Sequence, residues 1–354
     1  MNRLSVRFQS ATFSLLFTTV SAILAQDALL AQGQEVLTVG TLTDGEIRLD
    51  GAVTEPAWFA ADSIGSFTMT EPVEGGTTVG RTVVRVLANE SELVVSIVAL
   101  DPEPDALVSF SKQRDPMLQS EDHVLMVFDT FRDGRSGYTF GLNPTGARYD
   151  ALVSGNGERQ SADWDGIWDA ATQVTELGWS AEVRIPITTL SFDPSLDAWG
   201  FNIQRRVQRL QEVSRWASPR RDYQVTQTAR AGLLSGLPEF DLGIGISVRP
   251  SLIAKVGIPE PGASSEESLE PSLDVTQRLS SNMLASLTIN TDFAETEVDT
   301  RQTNLTRFPL FFPEKRTFFL EGSDIFRFGF GLGHSLLPFQ TRRIGLVAVS
   351  YTHL

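Results

Sequence analysis

Two stretches decide the fold: Val94-Val95-Ser96-Ile97-Val98-Ala99-Leu100 and Val124-Leu125-Met126-Val127-Phe128. Both are short, rich in β-branched residues and apolar at successive positions. Such a run places apolar side chains on both faces of a strand and requires cover on both sides. The two extend to 93–100 and 123–130, and similar runs recur at 82–88, 138–143, 147–154, 179–185 and 199–208. Asn89-Glu90-Ser91-Glu92 and Arg132-Asp133-Gly134-Arg135-Ser136-Gly137 supply the turn residues that two hairpins need. Prolines fall where strands stop, as in Asp101-Pro102-Glu103-Pro104, because proline cannot donate to a ladder. With helical periodicity nearly absent, the pattern predicts an all-β antiparallel sandwich over residues 40–237.

Composition narrows the chemistry. A formal charge of −15 opposes the phosphate backbone, so no nucleic-acid partner is expected. There is no cysteine, which removes disulfides and thiolate chemistry, and the three histidines are scattered. At the start, Arg3 and Arg7 precede an apolar stretch from Ala11 to Leu24 that is too short to span a bilayer. This predicts an export signal peptide over residues 1–25, or to 31, cleaved after Ala25 or Ala31.

Beyond Pro238 the character changes. Gly243 to Leu252 and Leu284 to Ile289 alternate small or polar with apolar residues, on either side of a Pro/Gly/Ser/Glu-rich loop from Pro259 to Pro271. Such alternation fits a membrane barrel and equally an exposed antiparallel sheet.

Several motifs carry a family resemblance. Leu49-Asp50-Gly51, Glu55-Pro56-Ala57-Trp58, Val84 to Leu87, Asp122 to Asp129, Gly178 to Pro186 and Trp199-Gly200-Phe201-Asn202 resemble, in order, the family 9 carbohydrate-binding modules. Asn290-Thr291-Asp292-Phe293, Glu297-Val298-Asp299 and Leu310-Phe311-Phe312-Pro313-Glu314-Lys315-Arg316-Thr317-Phe318-Phe319-Leu320-Glu321-Gly322 resemble the bacterial domain-of-unknown-function family 5916. The resemblance implies a jelly-roll-type sandwich followed, over residues 238–354, by the opening strands of an outer-membrane β-barrel, too few to close one. It implies a cell-envelope protein of a Gram-negative bacterium that binds an oligosaccharide or polysaccharide in carbohydrate catabolism. Its barrel would contact outer-membrane lipid.

Trp58, Trp179 and Trp199 sit in dense apolar surroundings and are expected in the core. Trp164 and Trp168 lie in the polar segment Asp163-Trp164-Asp165-Gly166-Ile167-Trp168-Asp169, which makes them, with Trp216, candidate plates for stacking a sugar. Arg85 and Asn202, with Asn143, Gln204 and Arg206, can serve sugar hydroxyls or pair with neighbouring groups. Asp163, Asp165 and Asp169 are candidate calcium ligands, although the spacing falls short of an EF-hand. No GxSxG, P-loop or strand-following GxGxxG appears, so binding is expected ahead of catalysis. The alternatives are a glycosyl hydrolase acting on O-glycosyl bonds, or its accessory domain, and a transport or partner-docking barrel. The aromatic segment Phe308 to Phe319 reads as a plug or as a girdle hairpin.

Overall fold

The computed structural model describes residues 35–241, 246–256, 267–280, 283–290 and 320. The signal-peptide and Phe308 to Phe319 readings lie outside them.

Two sheets face each other. The larger has nine strands in the order β1 (Val36–Thr38), β14 (Gly232–Ser235), β12 (Ala198–Val207), β6 (His123–Asp129), β7 (Gly137–Leu142), β8 (Arg148–Ser154) and β9 (Arg159–Ser161), with β13 (Glu212–Arg215) and β3 (Thr68–Glu71) extending from β12. The smaller runs β10 (Asp169–Thr175), β11 (Gly178–Pro186), β5 (Glu92–Leu100), β4 (Thr82–Ala88) and β2 (Gly40–Thr41). Pairing is antiparallel except where β1 joins β14 and β2 joins β4.

The doubly apolar strands find cover on each side. Val95, Ile97 and Ala99 of β5 enter the main core between the sheets, while Val94 joins Leu42, Ile47, Trp58 and Leu87 in a second cluster on the outer side. Trp58 is delivered there by α1 (Pro56–Ala60), a short helix opened by its proline. On the other sheet Val124, Met126 and Phe128 face inward, and Val127 packs outward with Val153 and Val225. Each fully buried side chain of this size contributes about 1.5–3 kcal/mol, so loops that cover the outer faces add substantially to stability.

A separate three-stranded antiparallel ribbon follows: β15 (Ile246–Val256), β16 (Glu267–Ser280) and β17 (Met283–Ile289). Val248, Val275 and Leu287 stand opposite one another across it, and Ile246, Val248, Leu252, Leu269, Leu287 and Ile289 are exposed. The alternate register row is Arg249, Asp274 and Thr288, with the Thr288 hydroxyl donating to Asp274. One face of the ribbon is thus apolar and the other polar.

Candidate binding face

The polar tryptophan segment is pinned by arginines. Asp150 on β8, its side chain 0% exposed, accepts from Arg114 Nη2 at 2.7 Å and from the Gly166 N–H at 2.6 Å. Burial raises its carboxyl to about 6, against the pull of the Gly166 N–H and Arg114. Arg114 also pairs with Asp165, while Arg148 lies 5.6 Å from the Trp168 ring centre and pairs with Asp169 at 2.9 Å. With the turn held this way, Trp164 and Trp168 are only 2% and 3% exposed and point into the core. Trp168 meets Phe140 edge-on at 5.2 Å, and Trp164 lies 5.1 Å from Tyr138.

This corrects three expectations. The Trp164 and Trp168 faces are spent on the core and are not plates open to a sugar. Trp216 is likewise buried, 5.9 Å from Phe201. The calcium expectation fails as well, because Asp165 and Asp169 point to separate arginines, Arg114 and Arg148. Among the described residues no three His, Asp or Glu side chains converge on a point where an ion could sit.

Asn202 is a pin as well. Its amide donates to Ala217 O and accepts from Ala217 N, each at 3.0 Å, and at 1% exposure it lies out of reach of a sugar hydroxyl. Asn143 is similarly engaged by Ser111, Glu121 and Ala147. Arg85 lies on the outer side of the smaller sheet, 5.6 Å from the ring centre of the exposed Phe59. The residues expected to form one site are therefore dispersed over the core and both outer faces.

A different constellation does share a face. Arg215, Gln204, Leu125, Gly141 and Tyr149 form one register row across β13, β12, β6, β7 and β8. Side chains alternate along strands, and Met126 and Ile203 face the core, so the row lies outward. Leu118 closes over Gly141, where an added Cβ would come within 2.9 Å of it. Gln204 and Leu125 stay half-buried at one end and Tyr149 at the other. Arg215 Nη2 donates to Gln204 Oε1 at 2.9 Å, and burial lowers the guanidinium to about 10. Alternation along 199–208 selects Gln204 and Arg206. Arg215 escapes sequence reasoning because four-residue β13 is too short to betray its facing.

Beside this row, His123 is 4% exposed with Nδ1 donating to Glu121 O at 2.9 Å. Burial lowers its pKa from 6.5 to about 4. A base depressed on folding contributes stability that is complete above its unfolded value and is lost as pH falls toward the folded one. Between pH 6.5 and 4 this should cost about 3 kcal/mol. Asp150, raised from 3.8 to about 6, acts with the opposite sign, its contribution present at low pH and lost as pH rises through 6. Urea midpoints of wild type and His123→Gln across that window isolate the histidine: the variant should lose less stability on acidification. Identical pH profiles would refute the assignment.

The described architecture is thus an all-β sandwich with a polar row on its larger sheet, followed by an amphipathic ribbon. The chain resembles the domain-of-unknown-function family 5916, whose family model matches residues 257–353. No curated protein matches the chain. Among solved structures, a family 9 carbohydrate-binding module from Caldicellulosiruptor kristjanssonii in complex with glucose is similar at 13% identity and TM-score 0.41, covering 59% of this chain and 99% of that one. A putative carbohydrate-binding protein from Bacteroides uniformis ATCC 8492 is similar at 16% identity and TM-score 0.44, covering 57% and 99%.

Proposed function

We propose that the protein is an exported outer-membrane protein in which a carbohydrate-binding sandwich is tethered by a β-barrel that the ribbon begins. The observation that carries the reading is the ribbon's apolar face. Strands of 11 and 14 residues reach the roughly 9–11 residues a tilted strand needs to cross a bilayer, and their exposed Val248, Leu252 and Leu269 would face lipid. The opposite face, with Ser251, Ser272, Asp274 and Thr288, would line the interior. Carbohydrate binding is supported by the ordered family 9 motifs.

Two measurements on the full chain test this. It should float with phosphatidylethanolamine/phosphatidylglycerol vesicles in a density gradient, and Val248→Arg with Leu287→Arg should leave it at the bottom, since cations on the lipid face are costly. A glycan array should show saturable binding by wild type. Wild type that remains at the bottom refutes the membrane half of the reading, and a folded chain silent on every glycan refutes the other half.

A further inference from the structure

The way the chain leaves the sandwich decides how the sandwich can stand on a membrane. β14 closes with Ser235, yet the chain does not depart there. The Leu237 N–H donates to Asp197 O at 3.1 Å, at the start of β12 in the larger sheet, and the Asp241 N–H donates to Glu90 O at 2.8 Å, in the turn between β4 and β5 of the smaller one. Between these two bonds Leu237 is buried, and Phe240 stacks on Trp199 at 5.4 Å and meets Phe192 edge-on at 5.4 Å. The segment therefore crosses from one sheet to the other and lays an aromatic ring on the core as it goes.

Only residues 242–245 separate Asp241 from Ile246, the first residue of β15, a reach of about 18 Å at most however the chain runs. Ile246 is 43% exposed and opens the apolar face that Val248 continues. β5 has nine residues, so at about 3.3 Å per residue the two ends of the smaller sheet lie about 30 Å apart. The link is shorter than the sheet. It can lay the Glu90 end against the start of the apolar band, but it holds the far end, where β10 turns into β11 at Glu176 and Leu177, away from it. Leu320 gives a second point of attachment. It stands within the string that resembles family 5916, beyond the ribbon in sequence, yet it is 3% exposed and belongs to the core cluster of the sandwich. A side chain returned to that core restricts the swing that one short link would still allow.

We infer that the sandwich is clamped to the membrane-embedded domain in one orientation, with its Asn89-Glu90-Ser91-Glu92 end facing the bilayer, held by the 237–241 segment and by Leu320. The opposite end, with exposed Val174 and Leu177, then points away from the membrane, where a partner can reach it. The inference rests on the membrane half of the reading above and adds an orientation to it.

The chain has no cysteine, so Glu90→Cys and Glu176→Cys, both at exposed positions, each take a single fluorophore. The two full-length variants are bound to phosphatidylethanolamine/phosphatidylglycerol vesicles that contain a lipid spin-labelled at its headgroup, which quenches on close approach. The Glu90 label should lose most of its fluorescence and the Glu176 label almost none. A Gly-Ser spacer of about ten residues after Asp241, which behaves as a random coil, combined with Leu320→Arg, releases both points and should bring the two signals together. A difference that survives there would mean that other contacts hold the end down, and the clamp would be overturned. The comparison of the two labels without the spacer decides the orientation even if the released variant does not fold. A chain that floats with the vesicles and shows equal quenching, or stronger quenching of the Glu176 label, overturns the inference and leaves the membrane reading standing. A chain that stays at the bottom of the gradient overturns both.

Discussion

Replacing Trp164 and Trp168 together with alanine should unfold the sandwich. Each indole is almost wholly buried, and both lean on Phe140. Truncating one such ring costs about 3–5 kcal/mol through lost transfer energy and the cavity left behind. The two share a neighbour, so their costs do not simply add. Even so, a combined loss above about 5 kcal/mol rivals the whole stability of an ordinary domain. Urea titration of the full chain, followed by near-UV circular dichroism, should show the double variant without its aromatic signal in dilute buffer. Trp164→Phe, which keeps a ring against Tyr138 and Phe140, should retain a cooperative transition. A double variant as stable as wild type would mean the rings stand in solvent, and the inward orientation would have to be abandoned.

That result bears on what the sequence could reveal. Strands expected at 82–88, 93–100, 123–130, 138–143, 147–154, 179–185 and 199–208 appear within two residues of those limits, because period and apolarity on two covered faces are local signals. β13 and β14, at four residues each, give no readable period, and β10 is a largely polar edge strand. The tryptophans misled for another reason. Their flanking Asp165 and Asp169 suggest a solvated turn, and those side chains do stay in solvent, 66% and 75% exposed, where they pair with Arg114 and Arg148. The indoles then turn inward, and Ile167 between them is 67% exposed. Local polarity reports the aspartates correctly but does not say which way the indoles between them face. Asn202 misled likewise, since its partner Ala217 lies fifteen positions away on a loop of no recognisable pattern.

Glu182→Ala should lower stability by about 3–5 kcal/mol, although the residue touches no candidate ligand group. Glu182 lies on β11, 0% exposed, and its two oxygens gather Asp50 N at 3.0 Å, Gly51 N at 3.1 Å and Trp58 Nε1 at 3.1 Å. Burial raises its pKa even against those three donors, a sign of how fully it is desolvated. The motifs Leu49-Asp50-Gly51 and Trp58 and the distant Gly178 to Pro186 run are therefore two halves of one clamp, which fastens the N-terminal segment over the outer side of the smaller sheet. Gly51 is fixed by the same geometry: at φ +85° an added Cβ would lie 2.6 Å from the Thr172 backbone. Removing the carboxylate leaves buried donors unpaired, each costing about 1–3 kcal/mol, and frees Trp58 from its anchor. The drop should appear as a lower urea midpoint and as faster amide exchange at Asp50 and Gly51, with exchange in β7 changing least. A midpoint within about 0.5 kcal/mol of wild type, the usual range for a surface change, would show that the clamp is incidental and that apolar cover by Trp58 alone holds the segment in place.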